Sequence, residues 1–96
     1  MNGTITYTAV RGHGRSGHQQ VHVGGKPVGQ LWREAVSIPN SKARNPMQWR
    51  WFARADHDET VLGRGTRLAL LRGAGFTSKN KATEALVTRV AELKRR

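Results

Sequence analysis

Met47-Gln48-Trp49-Arg50-Trp51-Phe52-Ala53-Arg54-Ala55 alternates polar and apolar residues almost without a break over nine positions. At a period of two, Met47, Trp49, Trp51, Ala53 and Ala55 fall on one side of a strand, and Gln48, Arg50, Phe52 and Arg54 on the other. The tryptophans carry large apolar area and an N–H that wants a partner, so their side is the expected core face and the arginine side is expected to look outward. Something must cover the tryptophan face. The strongest helical signal lies at the far end of the chain, from Ser78 to about Arg95, where Ala82, Leu86, Val90 and Leu93 follow at spacings of four, four and three and Ala85 widens the stripe. Thr77 or Ser78 supplies the N-cap, and Lys94, Arg95 and Arg96 sit at the end that the helix dipole makes favourable for cations.

With 96 residues there is room for one domain, of a size that buries only about 60 to 65 per cent of its unfolded surface. The 17 Lys and Arg stand against 6 Asp and Glu, a formal charge of +11, and Glu34 is the only acidic residue before Asp56. That balance predicts attraction to a polyanion: nucleic acid first, an anionic membrane surface or an acidic protein after it. Arginine outnumbers lysine 12 to 5, which suits bidentate contact with phosphate or guanine, although high-GC codon usage gives the same bias. The chain has no cysteine, so disulfides, thiolate metal sites and a cysteine nucleophile are excluded. The N-terminus lacks a basic start followed by an apolar run, and the longest apolar run is Leu68 to Leu71; neither a signal peptide nor a membrane span is expected. An intracellular, cytoplasmic location follows as an expectation, with nucleoid association if DNA is the partner.

Thr4 to Val10 alternates like a strand rich in β-branched residues. Residues 11–19 open with Arg11-Gly12-His13-Gly14-Arg15-Ser16-Gly17-His18, read as a mobile basic loop that either wraps a phosphate backbone through Arg11 and Arg15 or serves as a solvated hairpin connection. Gln20 to Val23 reads as a short strand before a turn at Gly24-Gly25-Lys26-Pro27. Val28 to Val36 resumes an extended pattern, with Val28, Trp32 and Val36 on one side and Leu31, Arg33 and Ala35 near the other. Residues 37–46, bounded by two prolines and carrying Lys42 and Arg44, are expected to form an exposed loop. Asp56-His57-Asp58-Glu59-Thr60 reads as a turn. Val61 to Arg72 is strand or short helix, with strand preferred, and Gly73 to Gly75 is a bend.

Catalysis finds little to work with. His13, His18 and His22 have a spacing that can ligate a metal, but no carboxylate or cysteine lies near them in sequence to complete a site, so no metal or other cofactor is expected. Asp56, His57 and Asp58 come without a nucleophile motif, a phosphate-binding loop or a metalloprotease helix. No enzyme is expected. Binding has a better basis. In an antiparallel sheet backed by a helix one face stays open, and Arg50 and Arg54, two steps apart on the same side, project roughly 13 Å apart along the strand. Arg33 from the preceding strand and Arg64 or Arg67 from the following segment are expected to extend that patch. Lys79 and Lys81 add charge at a helix N-terminus, where free N–H groups attract phosphate; they serve equally well as charged residues of an exposed first turn.

A tryptophan-rich strand, a glycine turn, then Phe76-Thr77-Ser78 opening a helix with Ala82, Glu84, Ala85 and Leu86 resembles small arm-type DNA-binding domains. These are found at the N-termini of tyrosine integrases, in plant ethylene-response factors and in small bacteriophage and actinobacterial proteins. The resemblance spans Val28 to Leu93 and implies a three-stranded meander on one helix that reads the major groove from its open face. This chain carries about ten extra residues between the tryptophan strand and Phe76, and an additional N-terminal strand and loop. Locally, Gly73 to Ala85 is similar to the last motif of double-stranded-RNA-binding domains, through Ser78, Lys79, Ala82 and Ala85; the N-terminal helix of that fold has no counterpart, because Asn2 to Val10 reads as strand.

The expected protein is therefore α+β, an antiparallel sheet of three to five strands with the C-terminal helix packed on the face that bears Trp49 and Trp51. Its expected function is non-catalytic binding of nucleic acid, DNA before RNA. The alternative is a phage-type module that docks on an acidic host protein through exposed Phe52, Leu31 and the basic loops.

Overall fold

The computed structural model describes residues 3–10, 17–37, 47–64 and 75–95. Four strands, β1 (Ile5–Ala9), β2 (Gln19–Val23), β3 (Lys26–Ser37) and β4 (Met47–Ala55), form one sheet in the order β1-β2-β3-β4, each antiparallel to the next, and one helix, α1 (Lys79–Lys94), closes the chain. The fold is α+β, with α1 packed against β3 and β4. No helix among the described residues is long and apolar enough to cross a membrane.

The β2–β3 connection is tighter than the sequence suggests. Val23 pairs with Lys26, leaving only Gly24 and Gly25 in the turn, at φ of 60° and 82°. Two successive positive φ values define the turn whose twist matches a hairpin, and glycine meets them without a Cβ penalty. Beyond it, Val21 pairs with Gly29 and His22 with Pro27, so Val28 is one residue in excess and the register shifts there. That bulge admits a proline near the start of a long strand.

Register then assigns the faces. Cross-strand partners point the same way, so Leu31, paired with Ala53, and Gly29, paired with Ala55, share the helix side with Val21 and Tyr7. The core is Val21, Leu31, Ala53, Ala55, Ala82 and Leu86, each buried to 1% exposure or less. Helix and sheet approach closely because Gly29 has no side chain: a Cβ there would stand 2.7 Å from Leu86 Cδ1 and 2.5 Å from the Arg54 carbonyl oxygen. Ser78 caps α1, accepting from the Lys81 N–H at 3.2 Å. Thr83 Oγ1 donates to the Lys79 carbonyl at 2.9 Å, and the Tyr7 hydroxyl lies 2.9 Å from Thr83 Oγ1, which ties the start of α1 to β1. At the other end Arg89 reaches Asp58 through two N–H groups, at 2.9 and 3.3 Å, both side chains being largely buried. The hydrogen bond to Asp58 raises the Arg89 pKa above its ordinary value, against the opposing effect of burial.

The tryptophan side is the helix side, as expected, but α1 sits over Ala53 and Ala55 rather than over the indoles. Trp49 is 52% exposed and Trp51 is half-buried. The helix lies over the small residues of β4 and Gly29, where Ala82 and Leu86 pack.

The segment after β4 is neither a full strand nor a helix over its described part. Leu62 forms an isolated bridge with Ala53, and Phe76 forms another with Trp51, both on the outer edge of β4. Gly63 and Gly75 then meet, the Gly75 N–H donating to the Gly63 carbonyl at 2.9 Å. Residues 65–72, the remainder of the stretch read as strand or short helix, lie outside the described residues.

Candidate functional site

The face opposite α1 takes the alternate residues of every strand: Thr6 and Thr8 from β1, Gln20 and His22 from β2, Gln30, Trp32 and Glu34 from β3, and Gln48, Arg50, Phe52 and Arg54 from β4. The threonines and Arg54 are exposed, and Arg50 is half-buried, with its Nη2 donating to Gln48 Oε1 at 3.1 Å. Arg50 and Arg54 therefore share the face that the helix leaves free.

Phe52 lies between them and is not exposed. It is 1% accessible, with Trp32 near-parallel at 6.3 Å between ring centroids and the Arg64 guanidinium carbon 4.8 Å from its own centroid. His18 stacks on the far side of Trp32 at 5.5 Å, and its Nε2 is 2.6 Å from Gln30 Oε1. The chain returning through Gly63 and Gly75 completes the cover: a Cβ at either glycine would stand 3.1 to 3.2 Å from the Phe52 ring. Phe52 and, on the helix side, Leu31 are buried rather than exposed; the greater part of the basic loops, the third element of the expected docking surface for an acidic protein, lies outside the described residues.

Glu34 ties this face together. Its carboxylate accepts from Trp32 Nε1 at 2.6 Å and pairs with Arg64. Arg64 thus lies on the patch with Glu34 as its ion partner, and Glu34 is also the cross-strand neighbour of Arg50, whereas Arg54 stands opposite the neutral Gln30.

Arg33 does not extend this patch. Its register partner is Trp51, which places it on the helix side, where its guanidinium carbon lies 5.4 Å from the Trp49 ring centroid and 5.6 Å from that of Trp51. Lys79 is also on that side, with Nζ 3.7 Å from the Tyr7 ring centroid. Lys81 is exposed, on the first turn of α1. Arg11, Arg15 and Arg67 lie outside the described residues, as do Lys42, Arg44 and His13.

The Trp32–Glu34–Arg64 arrangement was not anticipated from sequence. The spacing of Trp32 and Glu34 puts them on one side of a strand, but the arrival of Arg64 depends on a chain reversal that no local pattern announces.

One further feature shapes the site. β2 pairs with β3 only as far as Leu31, whereas β3 and β4 stay paired to Ser37 and Met47. Among the described residues, the last five pairs, from Arg33–Trp51 to Ser37–Met47, continue as a two-stranded arm roughly 15 Å long beyond the last β2–β3 pair, with Phe76 bridged to Trp51 at its root. Arg50 and Gln48 are on one side of the arm, and Arg33, Trp49 and Trp51 on the other.

No family model, curated protein or solved structure matches this chain.

Proposed function

We propose that the protein binds nucleic acid without catalysis, double-stranded DNA in preference to RNA, through the sheet face opposite α1. The observation that carries this reading is the placement of Arg50 and Arg54 on the face of β4 opposite α1, on either side of the covered Phe52, in a chain of net charge +11. Their separation of roughly 13 Å along the strand reaches two sets of phosphates or base edges rather than a single anion. A two-stranded ribbon is of a width that the major groove of B-DNA admits, and the β3–β4 arm presents Arg50 and Gln48 on such a ribbon. Arg54, at the root of the arm, is then placed to meet the backbone.

The test is an anisotropy titration against matched DNA duplex, RNA duplex and single strand over a range of salt. Tightest binding to the DNA duplex, weakening steeply with salt, supports the reading. If an Arg50→Ala, Arg54→Ala variant that remains folded binds DNA duplex as tightly as the parent protein, the assignment of this face is wrong.

A further inference from the structure

We infer that Trp49, on the far side of the same arm, is a stacking seat for an unpaired base, so that the preferred ligand is a duplex continued by a single-stranded segment. The inference rests on the proposed nucleic-acid function and adds the second half of the ligand.

Trp49 is the exposed large hydrophobic residue among those described. A lone exposed apolar side chain needs no explanation, but this one is built into a layered arrangement. The Arg33 guanidinium lies within cation–π distance of both Trp49 and Trp51. Gly17 approaches it from the sheet side: at φ 62°, a Cβ there would be 3.1 Å from Arg33 Nε. Phe76 fixes the root of the group by its two backbone hydrogen bonds to Trp51, at 2.8 and 2.9 Å. Arg33 and Trp51 are thus held from several directions, while Trp49 has an aromatic surface left to offer.

The chemistry of the occupant follows from charge and shape. A flat aromatic surface reinforced by a guanidinium suits a π-system attached to negative charge, which is what a nucleotide of a single strand presents. A base inside a duplex is already stacked on both sides and an end pair offers a single face, so an unpaired base has the most surface to give the indole. A second copy of the chain would bring +11 against +11, which opposes self-association through this patch. The two sides of the arm therefore divide the labour, Arg50 and Gln48 facing paired nucleic acid and Trp49 facing an unpaired strand.

The experiment compares a blunt DNA duplex with the same duplex extended by a short thymidine tail, for the parent protein, Trp49→Ala and Trp49→Phe. The tail is expected to tighten binding by the parent roughly fivefold or more, from the usual strength of base–aromatic stacking. Trp49→Ala removes that gain and leaves affinity for the blunt duplex within about twofold, as for surface substitutions in general, whereas Trp49→Phe keeps most of the gain. No gain from the tail, or a gain that survives Trp49→Ala, overturns the inference even if the blunt duplex binds well. Binding of an isolated thymidine strand that depends on Trp49, with no binding of the blunt duplex, overturns the duplex-with-tail ligand together with the duplex reading. Failure to bind either duplex or the isolated strand defeats both. Sedimentation of the parent and Trp49→Ala completes the test, because an oligomer dissolved by that substitution would make Trp49 a self-contact instead.

Discussion

Gly75 lies flat against the root of the arginine face: a Cβ on it would stand 2.5 Å from the Cβ of Arg50 and 3.2 Å from the Trp51 carbonyl oxygen. The close approach is what lets the returning chain shelter Phe52 while leaving Arg50 in place. Gly75 is also at φ 92°, where any side chain is strained. Gly75→Ala is therefore expected to destabilise the protein by about 2 kcal/mol or more, read as a drop in the midpoint of urea unfolding. An unchanged midpoint would mean that the segment does not pack on Phe52.

Ser78 supplies the oxygen that satisfies the Lys81 N–H at the start of α1. Ser78→Ala should cost about 1 kcal/mol and Ser78→Asp much less, because aspartate replaces the acceptor and also suits the positive end of the helix dipole. Thermal unfolding of the three proteins distinguishes capping from simple exposure, for which all three would melt together.

Asp58 and Arg89 couple the turn after β4 to the last turns of α1. Removing either partner breaks a largely buried ion pair, with the exposed Glu92 carboxylate at 3.5 Å the second acidic contact of Arg89, so Asp58→Asn and Arg89→Met should each lower the melting temperature. The double variant should lose less than the sum of the two. Additive losses would show that the pair contributes nothing beyond the separate packing of its members.

Arg54→Ala should weaken binding of all duplex sequences about equally and reduce the slope of log affinity against log salt by about one. Arg50, placed on the arm beside Gln48, is expected to behave differently. If it reads a base, Arg50→Ala relaxes the preference among sequences in addition to lowering affinity. Titration of a small panel of duplexes with both variants separates positioning from readout, and identical effects of the two substitutions would assign both to phosphate.

The strands and the helix are legible in the sequence because they rest on local periods: two for β1 and β4, and the four-four-three stripe for α1. Ala82 and Leu86 are buried as that stripe requires. Legibility fails where distance in sequence decides the outcome. Phe52 alternates with the arginines and so reads as exposed, yet chain far beyond it folds back over its ring; Gly63 and Gly75 were visible, but not what they approach. Arg33 was placed with the arginines because its side depends on the register of β3 against β4. That register is set across residues 38–46, whose sequence fixes no turn type. Trp49 and Trp51 are the most apolar residues of β4, but burial went to Ala53 and Ala55 because Gly29 lets Leu86 approach there and nowhere along the arm.

The hydrogen bond between Gly75 and Gly63 brings two points twelve residues apart in sequence into direct contact. The entropic charge for closing that stretch is set at its base, and it grows only slowly with the number of residues enclosed. Each doubling of the length enclosed between Gly63 and Gly75 therefore adds only about 0.6 kcal/mol of closure entropy.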